Sequence, residues 1–238
     1  MSAAGAVVLI TGGAGGIGLE IARAVTARGA RALIWDIDAA RLASAADLPG
    51  CVTARLDISD QGAVTSAMAQ GPRPTHLVNN AGILGPDMAL NAADAAAINR
   101  VLAVNLTGSF LVTSAFLNAR AAHPTAAIVN MSSIAGINGG APGRAVYGAT
   151  KGAMLAMTQA MARDLAPDLR VNALAPGIID TEIQTGLFAD RAALEATSAG
   201  IPMARLGQPV EVAEAAAWLL FDAPYITGEV IRIAGGRK

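Results

Sequence analysis

Apolar residues gather in short aliphatic or β-branched runs: "AVVLI" (6 to 10), "ALIW" (32 to 35), "HLVN" (76 to 79), "AAIVNM" (126 to 131), "RVNAL" (170 to 174) and "GEVIRI" (228 to 233), with a weaker candidate in "CVTAR" (51 to 55). Runs of this length without alternation suit strands buried on both faces. Between them lie alanine-rich stretches of helical length at 17 to 28, 91 to 121, 148 to 165 and 209 to 221. Strand alternating with helix predicts an α/β fold, doubly wound, in which a seven-stranded parallel sheet carries helices on both faces.

Crossovers in such a sheet are right-handed, and ligands bind beyond the carboxyl ends of the strands, so chemistry is expected just after each run. "GPRPT" (71 to 75) reads as a tight connection, and the chain has no internal repeat or low-complexity linker. The longest stretch with an indistinct pattern, 180 to 208, is a candidate substrate lid on a single domain spanning 1 to 238. A length of 238 residues suits one α/β unit.

Composition narrows the function. With 53% apolar and 15% charged residues the chain can build a large core, and a net charge of −1 gives no broad attraction to nucleic acid or to anionic membranes. The one cysteine, Cys51, can form no internal disulfide and no metal cluster, which fits a reducing compartment. With no signal-peptide pattern and no run of roughly 18 apolar residues, the expected location is cytoplasmic.

"VVLITGGAGGIGLEIA" sets five glycines between the first strand and the first helix. Without side chains there, backbone N–H groups and the helix dipole can meet a diphosphate. Gly13, Gly15 and Gly18 match one glycine register, and Thr11-Gly12 with Gly16 and Gly18 match another. Spacing does not choose between them. Asp36 ends the next strand, where a carboxylate binds adenosine ribose hydroxyls and repels a 2′-phosphate; no basic residue directly follows in "WDIDAA", which favours NAD over NADP. The competing reading is that Asp36 or Asp38 caps the helix near 39.

In "YGATK", Tyr147 stands four places before Lys151, one of only two lysines, the other being Lys238. On a helix these share a face. An ammonium beside a phenol is expected to lower its pKa from near 10 into a range useful for proton transfer. The bland alternative is a half-buried tyrosine beside a solvated lysine.

"TGGAGGIG", "NNAG" (79 to 82), "VNLTG" (104 to 108), "NMSS" (130 to 133), "YGATK" and "VNALAPGIIDT" (171 to 181) follow in the order and at roughly the separations seen in the short-chain dehydrogenase/reductase family, and the chain resembles that Rossmann-like family from about Val7 to Gly236. The resemblance implies the register Thr11-Gly12, Gly16, Gly18, with Gly15 and Ile17 at the diphosphate. It implies Asp57 and Ile58 beside the adenine, and Asn80 and Gly82 along the adenosine side. Asn79 or Asn80 has a second reading as a polar stitch between strands. Pro176, Gly177, Ile179 and Thr181 are implied at the nicotinamide. The implied catalytic residues are Asn105, holding a water behind the lysine, Ser133 at the substrate oxygen, Tyr147 and Lys151, the last two also touching the cofactor. Ser133 lies 14 residues before Tyr147, one more than the commonest family spacing; the loop "GINGGAPGRA" is expected to absorb the extra residue.

These residues imply an NAD-dependent oxidoreductase that moves a hydride between nicotinamide and a secondary alcohol or ketone, small to medium and apolar, in a homotetramer by resemblance, with no metal. Alternatives are a 3-oxoacyl-[acyl-carrier-protein] reductase and a non-catalytic nucleotide-sensing protein on the same fold. His76 and His123 read as surface or loop residues, Cys51 as a small buried hydrophobe, and Tyr225 as structural. Met154, Met157 and Met161, at helical spacing, read as packing.

Overall fold

A computed structural model of the chain describes residues 3 to 238. Seven strands, β1 (Val7–Thr11), β2 (Arg31–Asp36), β3 (Cys51–Arg55), β4 (His76–Asn79), β5 (Ala127–Met131), β6 (Arg170–Pro176) and β7 (Val230–Ile233), form one sheet in the order β3-β2-β1-β4-β5-β6-β7. Every pairing is parallel. The chain winds outward from β1 through β2 to β3, then returns to lay β4 on the other side of β1. At that reversal the connections diverge and open a crevice beyond the strand ends. Thr11, Asp36, Asn79, Met131 and Pro176, the last residues of five strands, therefore share one edge.

The continuous apolar runs have a direct cause: successive side chains enter opposite layers, and both layers are dry. Val8 and Ile10 join Ile34, Val78, Val129 and Leu174 in one core with α1 (Gly16–Ala27), α2 (Ala39–Ala46) and α9 (Pro209–Phe221). Leu9, between them in sequence, joins Leu33, Leu77, Ile128 and Val171 in the other, with α3 (Gln61–Gln70), α5 (Ser109–Ala119) and α7 (Ala145–Leu165). The alanines of α1 and α9 let these two helices pack closely. Met154 and Met157 are buried on α7, and Met161 packs on the second core.

Several boundaries differ from the sequence expectation. The stretch at 91 to 121 is not one α-helix: after a 3₁₀ turn at Leu90–Ala92 come α4 (Ala95–Leu102), a π-helical segment Ala103–Gly108, and α5. The whole helical stretch Ala95–Ala119 is long and apolar enough to cross a bilayer by length and composition, which the sequence reading did not anticipate. Its apolarity has a local use, since Val101, Val104, Val112 and Phe116 are buried in the protein. Short helices α6 (Ala135–Asn138) and α8 (Arg191–Ala196) and the helix α3 had not been expected. Residues 180 to 208 hold the 3₁₀ turns Glu182–Gly186 and Thr197–Gly200 around α8.

His76 corrects the surface reading outright. It is fully buried, its Nδ1 is 2.7 Å from Thr75 Oγ1 and its Nε2 3.0 Å from the Thr125 carbonyl, and its ring meets those of His123 and Phe221 edge-on. Cys51 is half-buried rather than enclosed, and Tyr225, read as structural, is fully exposed in the single chain.

Candidate active site

The crevice beyond β1 and β4 is a cleft of about 450 Å³ running from Asp36 and Asp57 at one end to Ser133, Tyr147 and Thr181 at the other. Its floor is the turn between β1 and α1. Gly12 adopts φ +60 with Ala81 so close that a Cβ would stand 2.8 Å from its Cα, and a Cβ on Gly18 would stand 2.2 Å from the Gly12 carbonyl oxygen. Both positions therefore require glycine; Gly18 is common to the two registers, whereas the positive φ of Gly12 and of Gly16, at +49, favours the register Thr11-Gly12, Gly16, Gly18. Gly12, Gly15, Gly16 and Ile17 line the cleft; Gly18 does not, and its part is to let α1 pack against the turn. No side chain caps α1, so its first amide groups and dipole are free to meet an anion.

The two aspartates after β2 divide the roles left open by the sequence. Asp38 caps α2, accepting from the amides of Ala40 and Arg41 at 3.0 and 3.1 Å. Asp36 lines the cleft, with Oδ2 accepting from the Ala14 amide at 3.0 Å and Oδ1 from the Asp38 amide at 3.1 Å. Farther along, Asp57 accepts from the Ser59 amide and hydroxyl at 2.9 and 2.7 Å and pairs with Arg100 at 3.0 Å. Partial burial pushes its pKa up, but the Ser59 hydrogen bonds and Arg100 together hold it below the usual carboxylate value. Ile58 lines the cleft beside it.

Asn79 and Asn80 also separate. Asn79 is the internal stitch, donating to Thr113 and Asn130 at 3.0 and 2.9 Å. Asn80 lines the cleft and ties β4 to the glycine turn, donating to the carbonyls of Thr11 and Gly12 at 3.1 and 2.9 Å. Gly82 follows it, where a Cβ would lie 3.2 Å from Lys151 Nζ and 3.4 Å from Asn105 Oδ1.

Helix α7 carries Tyr147 and Lys151 on the face turned to the end of β5. Lys151 is buried, and its Nζ donates to the Met131 carbonyl at 2.8 Å. Burial lowers its pKa to about 8. Ser133 and Tyr147 line the same cleft, so the extra residue in the intervening loop has not separated them. Arg144, the residue before α7, anchors that loop by donating to the Gly85 carbonyl. Ser132 also borders the cleft, but its hydroxyl is committed to the Lys151 carbonyl at 2.7 Å. Ser133 Oγ accepts from the Ala135 amide at 3.1 Å and keeps its place beside the phenol.

One detail corrects the sequence expectation. Burial raises the Tyr147 pKa above its ordinary value and the Ser133 hydrogen bond only partly offsets this, so in the protein alone the lysine does not lower it. Lys151 Nζ lies 5.8 Å from the ring centroid and is turned to Met131. Asn105 sits in the π-helical segment, but its side chain is taken by neighbours: Oδ1 accepts from the Ile83 amide at 2.8 Å, while Nδ2 donates to the Ile83 carbonyl and to Thr150 Oγ1 at 2.9 and 3.1 Å. It clamps the segment after Gly82 against α7, and Oδ1, with one donor, keeps a second lone pair.

At the far wall, Pro176, Gly177, Ile179 and Thr181 line the cleft after β6, and Thr181 Oγ1 donates to the Ile179 carbonyl at 3.3 Å. The sequence reading missed Arg41, Arg100, Glu182 and Gln184, which also line it. Arg41 reaches from α2 across the glycine turn, bonding Asp38 at 3.2 Å and Glu182 at 3.4 Å. Long side chains that return to a cleft from a helix leave no local signature. The cradle of glycines, free amides and Asp36 fits a dinucleotide in size and in polarity.

A doubly wound sheet with a diphosphate-type turn at its switch point and a serine, tyrosine and lysine in the same crevice defines the class: a dinucleotide-binding α/β protein. The chain matches, over residues 12–238, a family model described as Enoyl-(Acyl carrier protein) reductase. It is 40% identical to galactitol 2-dehydrogenase (L-tagatose-forming) of Cereibacter sphaeroides, covering 98% of this chain and 94% of that one. It is 37% identical to 2-(S)-hydroxypropyl-CoM dehydrogenase 3 of Xanthobacter autotrophicus, covering 97% and 95%. A solved glucose/ribitol dehydrogenase of the short-chain type from Brucella melitensis superposes with a TM-score of 0.88 at 34% identity, covering 98% and 96%. The chain belongs to the short-chain dehydrogenase/reductase family, oxidoreductases that use a nicotinamide cofactor.

Proposed function

We propose that the protein is an NAD-dependent dehydrogenase or ketoreductase acting on a secondary alcohol or its ketone. The observation that carries this is the convergence of Ser133, Tyr147 and Lys151 on the cleft that begins at Asp36 and the glycine turn. Bound nicotinamide supplies or accepts the hydride. Tyr147 gives a proton to the carbonyl oxygen in reduction or takes it from the hydroxyl in oxidation, and Ser133 donates a hydrogen bond to the same oxygen, where negative charge develops. Lys151 holds its positive charge beside the phenol and presents N–H groups to the ribose end of the cofactor. Asn105 keeps the Gly82–Ile83 segment in place against this group.

Asp36 supports NAD, because a 2′-phosphate there would meet a carboxylate already holding two backbone amides. Ile83, Val104 and Ile183 make part of the cleft wall apolar, which supports a small or medium apolar substrate. Residues 180 to 208 serve as the lid on the single domain, and the exposed Trp218 and Tyr225 support a homo-oligomer, a tetramer by family resemblance. The test is a chemically broad panel of secondary alcohols with NAD or NADP at alkaline pH. Turnover with NAD supports the reading. Preference for NADPH with a 3-oxoacyl thioester moves it to the acyl-carrier-protein alternative, and bound NADH without turnover across the panel moves it to a binding protein.

A further inference from the structure

Among the described residues, two buried side-chain atoms have no hydrogen-bond partner, Asn79 Oδ1 and Gln184 Oε1. Asn79 is enclosed in the sheet and does not touch the cleft, whereas Gln184, only 7% exposed, lines it. Its amide orientation is set by Nε2, which donates to the Ile179 carbonyl at 2.9 Å. The Thr181 hydroxyl donates to that same oxygen at 3.3 Å. The Ile179 carbonyl thus takes one N–H of Gln184 and the Thr181 hydroxyl proton, leaving lone pairs on Thr181 Oγ1 and Gln184 Oε1. Gln184 Oε1 has no donor within the protein, and a buried acceptor without one is unfavourable. A primary amide answers it, since one nitrogen brings two N–H groups.

We propose that Gln184 Oε1 accepts a hydrogen bond from the carboxamide N–H₂ of the nicotinamide, making Gln184 a cofactor-positioning residue that selects for a primary carboxamide. The inference rests on the dinucleotide reading of the cleft. Gln184 lies in the 3₁₀ turn Glu182–Gly186, so this bond also ties the first turn of the lid segment to the cofactor's reactive end.

The experiment measures dissociation constants without substrate, by fluorescence or calorimetry, for wild type, Gln184→Met and Gln184→Glu. The ligands are NADH, reduced 3-acetylpyridine adenine dinucleotide, in which a methyl replaces the amide nitrogen, and ADP-ribose, which lacks the ring. Wild type and Gln184→Glu, which keeps the acceptor, are expected to prefer NADH over the acetylpyridine analogue by about tenfold. Gln184→Met is expected to reduce that preference by about fivefold or more while binding ADP-ribose as wild type does. An unchanged preference in Gln184→Met overturns the proposal. So does an equal loss of NADH and ADP-ribose affinity, which marks a structural role, or a change confined to substrate KM, which assigns the oxygen to substrate. Failure of the wild-type chain to bind ADP-ribose overturns the dinucleotide reading itself and the proposal with it.

Discussion

Lys151 Nζ stands 5.8 Å from the centroid of the Tyr147 ring while donating at 2.8 Å to the Met131 carbonyl, so the backbone end of β5 aims the ammonium past the phenol. Proton transfer then depends on the tyrosine oxygen itself. Tyr147→Phe is expected to lower kcat by about 10²- to 10⁴-fold, the usual contribution of a positioned acid or base. The NADH dissociation constant should stay within about twofold, because the ring and its packing remain. Stopped-flow turnover and fluorescence titration on the same preparation check both halves; a near-normal rate removes the tyrosine from the chemistry.

The two titrations predict a pH limb. Burial holds Tyr147 as the neutral phenol beyond its ordinary range, and holds Lys151 at about 8, so at pH 7 the pair is phenol and ammonium. That state suits ketone reduction. Reductive kcat/KM, which reports the free enzyme, is expected to be level near pH 6 to 7 and to fall as Lys151 loses its charge through about 8. A profile level to pH 10 contradicts the role given to the ammonium.

Cofactor choice turns on Asp36. Replacing it with serine removes the carboxylate and frees the Ala14 and Asp38 amides to meet a phosphate. The ratio of kcat/KM with NADH to that with NADPH is expected to drop by about tenfold or more, equivalent to about 1.4 kcal/mol of transition-state preference. Steady-state rates with both cofactors measure it, and an unchanged ratio assigns the discrimination elsewhere.

Gly18→Ala tests the glycine turn. The new Cβ would meet the Gly12 carbonyl oxygen at 2.2 Å and Asn80 Nδ2 at 2.7 Å, so the turn must open. Destabilisation of about 1–3 kcal/mol, as for overpacking, is expected together with weakened ADP-ribose binding. Gly200→Ala, where a Cβ meets nothing within 4 Å, is the control and should melt with wild type.

His76 makes stability depend on acid. Burial first, then the nearby His123, lowers its pKa from 6.5 to about 3, against a smaller raising effect of its Thr125 hydrogen bond. The unfolded chain takes up a proton that the folded one refuses between those values. The contribution of neutral His76 is therefore complete above pH 6.5 and declines as pH falls toward 3, at up to about 1.4 kcal/mol per pH unit. Urea unfolding at pH 7 and pH 5 is expected to differ less for His76→Gln than for wild type, by about 2 kcal/mol at most.

The strands were readable because a sheet covered on both faces leaves uninterrupted aliphatic runs, and the seven runs correspond to β1 through β7 in order. The glycine turn, Asp36 and the helical spacing of Tyr147 and Lys151 were readable for a similar reason, since each is a local pattern set by backbone geometry. α3, "QGAVTSAMAQ", passed unnoticed because its small and polar residues show almost no apolar stripe; the Asp60 cap starts it and packing on α5 holds it.

Other assignments needed neighbours that lie far off in sequence. Asp36 and Asp38 are equivalent as letters, yet one faces the cleft and the other caps α2. His76 seemed exposed until Thr125 and Phe221 enclosed it, and the phenol's pKa moved up, not down, because burial outweighs the Ser133 hydrogen bond while the lysine turns to Met131. Arg41 and Gln184 belong to the cleft through side chains that cross from other elements. Periodicity and glycine spacing report on the path of the backbone, which is a local property. Burial, hydrogen-bond partners and charge state depend on which distant segments close around a group, and those are set only when the sheet and its helices assemble.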